Sequence, residues 1–234
     1  MTPAPVLRLV PGLGLDAAAW RPTVRSLPLA WRHDLDVALL PGYGERASRR
    51  TDLRPAALAE LLLDRWCPPD ATVVLAGHSA SCQVVAAAAR RRPDRVAGLV
   101  LVGPTTDPRA RSWPTLARRW LATARHERLG EVPTLVRQYT RTGLGTMARA
   151  MDAARRDDVR ESVRGSRCPV LVLRGSHDRI CPPDWAAELA EATRRPPDDR
   201  VSRSVTVRGG HMIPLTHGQL VARELERFAE LVGR

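Results

Sequence analysis

Three residues of this chain have the chemistry of a nucleophile, its activating base and a supporting acid: Ser79, His211 and Asp178. A serine hydroxyl is a weak nucleophile at neutral pH. It needs a base within hydrogen-bond reach, usually a histidine that a buried carboxylate holds in the right tautomer. Ser79 lies in Gly77-His78-Ser79-Ala80-Ser81, between the apolar run 73–76 and the alanine-rich stretch 83–90. Short β-branched runs read as buried strands and alanine-rich runs as helix, so Ser79 is expected at the tip of a strand-turn-helix unit. So tight a turn strains its central residue and requires small residues two places to either side, here Gly77 and Ser81. It also leaves the hydroxyl open at a helix N-terminus, where the Ala80 N–H can bind an oxyanion.

The elements that must position these groups follow from the patterning. Strand-like runs recur at 6–10, 36–40, 73–76, 96–102, 170–174 and 203–208, and a helix-sized segment follows each one. Asp16 caps the first helix, from Ala17 through Trp20. Later helices are expected at 58–66, 185–192 and 219–231. This alternation predicts a parallel sheet with right-handed crossovers and helices on both faces. Ser79, Asp178 and His211 all fall just past carboxyl ends of strands, which converge on one crevice in an open α/β sheet. Over 105–164 the alternation stops. Leu116, Trp120, Leu121 and Ala124 share a helical face, as do Val132, Leu135, Val136 and Tyr139, and Met147, Ala150, Met151 and Ala154. The segment reads as a helical insertion over the sheet edge, where long excursions usually shape a binding site.

Composition bounds the partners. At 234 residues and 44% apolar content the chain is expected to fold as one domain, 1–234, with 105–164 as an insertion within it. It has no apolar run of membrane-spanning length, and no basic segment leading into an apolar stretch near Met1, so a cytoplasmic protein is expected. The net charge of +12 comes from 37 basic residues that are all arginine, with no lysine or asparagine in the chain. A GC-rich, bacterial coding sequence produces that bias whatever the partner. The arginines are scattered and stacking aromatics are few, so no nucleic-acid partner is expected; an anionic substrate or an acidic carrier protein remains open. Cys67, Cys82, Cys168 and Cys181 lack metal-site spacing and read as structural thiols. Cys82, in the first turn of the helix after Ser79, has the one position that favours a reactive thiolate, against a packing role.

The order Ser…Asp…His and the elbow turn resemble the α/β-hydrolase superfamily over nearly the whole chain. Pro11-Gly12-Leu13-Gly14-Leu15-Asp16 is similar to its His-Gly-x-Gly oxyanion loop, Gly175-Ser176-His177-Asp178-Arg179-Ile180-Cys181-Pro182 to its acid loop, and Gly209-Gly210-His211 to its histidine loop. The resemblance implies an α/β-hydrolase fold of about six mostly parallel strands flanked by helices, with 105–164 as a helical cap. It also implies an oxyanion hole made by the Leu13 and Ala80 N–H groups. No metal or organic cofactor is implied. Two residues depart from the family pattern: Ser81 replaces the last glycine of Gly-x-Ser-x-Gly, and Pro11 replaces the histidine of His-Gly, removing a backbone donor and a bracing side chain.

Other residues compete for roles. His78 inside the elbow reads as packing, and His177 is one residue out of phase with the acid. Asp107, after the fourth strand, is the reserve for Asp178. Tyr43, Trp113, Trp120 and Tyr139 are the candidates for contact with substrate, each with core packing or a turn as its competing role. The expected activity is hydrolysis of a carboxylic ester or similar acyl bond on a small-molecule substrate. The alternative is a natural-product tailoring enzyme with the same three residues (cyclase, lyase, acyltransferase or thioesterase). A non-catalytic binding module has no need of all three.

Overall fold

The computed structural model describes residues 5–126, 130, 132–193 and 201–233. β1 (Val6–Val10) leads through a 3-10 turn (Ala17–Ala19) into α1 (Arg21–Ser26) and α2 (Leu29–Arg32). β2 (Leu35–Val37) is followed by β3 (Leu40–Pro41) and β4 (Gly44–Glu45), which form a separate two-stranded sheet, and by α3 (Pro55–Trp66). Next come β5 (Val73–His78), α4 (Ser81–Arg91) and β6 (Val96–Val102). Among the described residues, a 3-10 turn (Pro108–Ala110) and four α-helices intervene: α5 (Trp113–Ala124), α6 (Val132–Thr142), α7 (Leu144–Arg156) and α8 (Val159–Gly165). The chain closes with β7 (Val170–Gly175), α9 (Pro183–Glu191), β8 (Arg203–Val207), α10 (Ile213–Thr216) and α11 (Gly218–Val232).

The main sheet is entirely parallel, in the order β2-β1-β5-β6-β7-β8. Its central strands are buried on both faces, as parallel crossovers require. Alternate residues serve opposite layers. Leu75, Leu99, Leu101, Val170 and Val172 join the core under α3, α4, α8 and α9. Val74, Ala76, Val100, Val102, Leu171 and Leu173 join the core formed with Trp20, Ile213, Leu225 and Phe228 on the other side. The register brings Val10 beside Gly77, His78 beside Val102, Val102 beside Leu173 and Gly175 beside Val207. The strands thus end nearly level, and the loops that follow share one edge.

The expected strand at 36–40 is shorter. Only Leu35–Val37 belongs to the sheet, with the Ala38 N–H adding one bond to Leu9. Pro41 cannot donate to a ladder, and Gly42 and Gly44 have positive φ (86° and 95°), so the chain turns away at Leu40. The excursion 105–164 is helical as the periodicity requires, but its parts differ. Val159 and Val163 of α8 lie in the core shared with α4, whereas α6 is tied to the loop after β1. There the Asp16 N–H donates to Gln138 Oε1 (2.7 Å) and the Thr142 hydroxyl to the Gly14 carbonyl (3.2 Å). Among the described residues no helix is long and apolar enough to cross a membrane.

Candidate active site

Ser79 has φ +58°, a left-handed value that costs a non-glycine residue and is held there by its surroundings. Its own N–H donates to the Val102 carbonyl (2.8 Å), pinning the turn to β6. A Cβ at Gly77 would lie 2.8 Å from the Ser81 carbonyl and 2.9 Å from the Cys82 nitrogen, so strand and helix approach as closely as the elbow demands. The Ser79 hydroxyl is thereby presented at the strand edge, within hydrogen-bond reach of His211.

The Asp178 loop begins at the end of β7 and the His211 loop at the end of β8. His211 Nε2 lies 2.9 Å from Ser79 Oγ, and its Nδ1 lies 2.8 Å from Asp178 Oδ2. Asp178 is almost completely buried. Burial alone would raise its carboxyl. The His211 charge and hydrogen bond, with the amides of Cys181 (3.1 Å) and Ile180 (2.8 Å) on Oδ1, outweigh that and hold it below the usual aspartate range. An ionised Asp178 only accepts, so Nδ1 carries the imidazole proton and Nε2 is left as the acceptor for the serine hydroxyl. The three side chains therefore form one directed chain of hydrogen bonds, from Ser79 through His211 to Asp178.

Supports for this chain come from residues that the sequence patterns did not single out. Arg174, buried, donates from Nε to the Cys181 carbonyl (2.8 Å), from Nη2 to the Asp178 carbonyl (3.0 Å) and from Nη1 to Thr206 Oγ1 (3.3 Å), stapling the acid loop from below. Gly103, with φ +56°, brings bare backbone against the His211–Asp178 pair. An arginine ending an apolar strand and a Gly-Pro after another were the only signals either residue offered. Across the site, the Leu13 and Ala80 N–H groups have no acceptor among the described residues. The Gly14 N–H donates to the Gly42 carbonyl (2.8 Å) and the Leu15 N–H to the Gly12 carbonyl (3.0 Å), which fixes the loop around Leu13.

The remaining candidates separate. Asp107 is buried and paired with Arg109 and Arg119 (2.9 Å each). Those two guanidinium groups overcome its desolvation and keep it ionised, so it serves to anchor α5. His177 is exposed and stacks on His126 at 4.7 Å. Cys82 is fully buried and its thiol donates toward the Gly77 carbonyl (3.3 Å); burial raises its pKa, so packing is its role. Tyr43 packs inward. It is 1% exposed and belongs to the core with Leu40, Ala80 and Cys82, because reciprocal bonds between Leu40 and Tyr43 tie the turn down and aim the ring inward. Trp113 and Trp120 lie at the surface. They are 46% and 53% exposed on α5, and Trp113 lies under the Arg155 guanidinium at 5.2 Å. Tyr139 adjoins the oxyanion loop: its ring and Met147 cover Gly14, where a Cβ would lie 2.7 Å from each. Among the described residues no cluster of three histidine, cysteine or carboxylate side chains is arranged to hold a metal ion.

Comparisons with known proteins agree with this architecture. The chain resembles MenH from S. aureus at 15% identity, with a TM-score of 0.76, covering 98% of this chain and 95% of that one. It resembles the enol-lactonase from Burkholderia xenovorans LB400 at 20% identity and TM-score 0.70, over 97% and 92%. It also resembles a thermophilic esterase from Thermogutta terrifontis at 23% identity and TM-score 0.68, over 100% and 92%. At these identities the likeness is one of fold. No curated protein sequence matches. The profile of the alpha/beta hydrolase family matches residues 9–224, which takes in the elbow, the acid loop and the histidine loop. With that match across most of its length and the parallel sheet that carries those loops, the chain belongs to the alpha/beta hydrolase family.

Proposed function

We propose that the protein is a serine hydrolase that cleaves a carboxylic ester or similar acyl bond. The observation that carries this reading is the directed contact from Ser79 Oγ to His211 Nε2, 2.9 Å, backed by Asp178 at 2.8 Å. On attack at the substrate carbonyl, His211 takes the Ser79 proton and Asp178 stabilises the imidazolium. The carbonyl oxygen, now an oxyanion, is received by the Leu13 and Ala80 N–H groups, which need no reorganisation at that moment. His211 then gives the proton to the leaving alcohol, and an acyl group remains on Ser79. Water enters, His211 accepts its proton, and collapse of the second tetrahedral intermediate releases the acid and restores the hydroxyl. Every proton is moved by one imidazole.

The helices of 105–164 act as the cap of this site, with α6 hydrogen-bonded to the oxyanion loop and the Tyr139 and Met147 side chains lying on Gly14. The esterase and the enol-lactonase among the fold relatives support an ester as the scissile bond. A fluorophosphonate probe provides the test. Labelling at Ser79 with stoichiometric loss of activity on p-nitrophenyl esters is expected, and Ser79→Ala should abolish both. Ester turnover that survives unchanged in Ser79→Ala would refute the reading.

A further inference from the structure

Of the two residues that depart from the family pattern, Ser81 beyond the nucleophile reaches the Val10 carbonyl of the peptide that leads into the other, Pro11 in the oxyanion loop. The Ser81 side chain is fully buried. Its hydroxyl accepts the His78 amide N–H (2.8 Å) and directs its one proton between the carbonyls of Val10 (3.0 Å) and His78 (2.9 Å). Val10 supplies the carbonyl of the peptide to Pro11, the first residue of the oxyanion loop. A glycine at position 81 has no atom to hold that carbonyl, and a proline at position 11 has no N–H or polar side chain with which to brace itself.

His78 occupies the other side of the same junction. Its Nε2 lies 3.1 Å from the His211 carbonyl, and a Cβ at Gly12 would lie 2.7 Å from its Nδ1. A carbonyl only accepts, so Nε2 bears the proton and Nδ1 does not. Burial, reinforced by repulsion from His211, pushes this imidazole down to about 3, so the ring stays neutral at any pH where the protein works. Trp20 meets it edge-on at 6.5 Å and closes the space behind it.

We infer that Ser81 and His78 are positioning residues that fasten the oxyanion loop and the histidine loop to the nucleophile turn, the Ser81 hydroxyl making good the brace that Pro11 lacks. The inference rests on the serine-hydrolase reading above. Ser81 sets the path of the Val10–Pro11 peptide and so the direction of the Leu13 N–H, while His78 sets the backbone from which the His211 ring reaches Ser79. A misplacement of about 1 Å in such an arrangement costs roughly 100-fold in rate. Ser81 acts through the backbone, and the His78 ring lies beside the His211 ring with centroids 5.0 Å apart.

The test compares Ser81→Ala, Ser81→Gly, His78→Leu and His78→Gln in steady-state turnover of p-nitrophenyl acetate across pH, with the rate of fluorophosphonate labelling in parallel. Both Ser81 variants are expected to lower kcat by roughly 10–100-fold while KM changes less than about threefold. His78→Leu should lower kcat similarly and displace the acid limb of the pH profile. His78→Gln, which keeps a donor near the Nε2 position, should recover at least about a third of the lost rate on a logarithmic scale. Should leucine at 78 prevent folding, Ser81→Ala and His78→Gln carry the comparison, since neither adds volume. Folded Ser81 variants with wild-type kcat, or His78 variants with wild-type kcat and pH profile, would overturn the inference. A wild-type protein that is not labelled at Ser79 would instead overturn the reading on which it rests.

Discussion

A Cβ on Gly103 would lie 3.0 Å from the His211 ring and 3.1 Å from Asp178 Oδ2. The histidine and its carboxylate are thus held against bare backbone at the end of β6, at a residue whose φ of +56° also favours glycine. Gly103→Ala is expected to cost about 1–2 kcal/mol of stability from the left-handed backbone. The methyl group pushes the imidazole off its line to Ser79, so kcat should fall by roughly 10-fold or more with KM nearly unchanged. Chemical denaturation and steady-state kinetics on one preparation check both effects.

Asp178→Asn removes the charge that fixes the His211 tautomer, and an amide can donate to Nδ1, which leaves the Nε2 proton facing the serine. A loss of roughly 10³–10⁴ in kcat is expected. The pH dependence of stability has a definite sign. The Asp178 carboxyl is held below its unfolded value, so its contribution is fully present above about pH 4 and is lost as pH falls through the folded value. Urea titrations from pH 3 to pH 7 should therefore show a steeper loss in the wild type than in Asp178→Asn at the acid end.

Asp157 carries the opposite sign. Burial, with the neighbouring Asp158 and Glu161 charges, raises its carboxyl to about 6, and its Oδ2 has no hydrogen-bond partner among the described residues. The folded state binds this proton more tightly than the unfolded chain does, so stability is lost as pH rises from about 4 through 6. Asp157→Asn should raise the melting temperature at pH 8 and have little effect below pH 4. A variant less stable than wild type at pH 8 would contradict this account.

Tyr43 and Trp120 divide by burial. Tyr43→Ala empties a core site and should cost about 3–5 kcal/mol of folding stability, whereas Tyr43→Phe should leave KM within about twofold. Trp120→Ala, at a half-exposed position, should change stability by less than about 1 kcal/mol. Denaturation midpoints for the three variants, read beside their KM values, provide the check.

The family, the parallel sheet and the residues of the proposed reaction were legible along the chain because each rests on local patterning. Strand runs such as 73–76 and 170–174 are apolar on both faces, and Gly77 and Ser81 flank Ser79 at the spacing a tight elbow needs. The end of each strand then marks where a functional loop begins, since parallel strands with level ends gather their loops at one edge. Side-chain direction was not legible in this way. Whether Tyr43 faces the crevice or the core depends on a turn closed by bonds between Leu40 and Tyr43, and the exposure of Trp113 and Trp120 depends on what α5 meets across the molecule. The bracing contacts of Ser81 with Val10, His78 with His211 and Arg174 with Asp178 join residues that local periodicity cannot relate. Sequence spacing decided which groups reach the crevice; only the packing of distant segments decided which of them face one another and what holds them there.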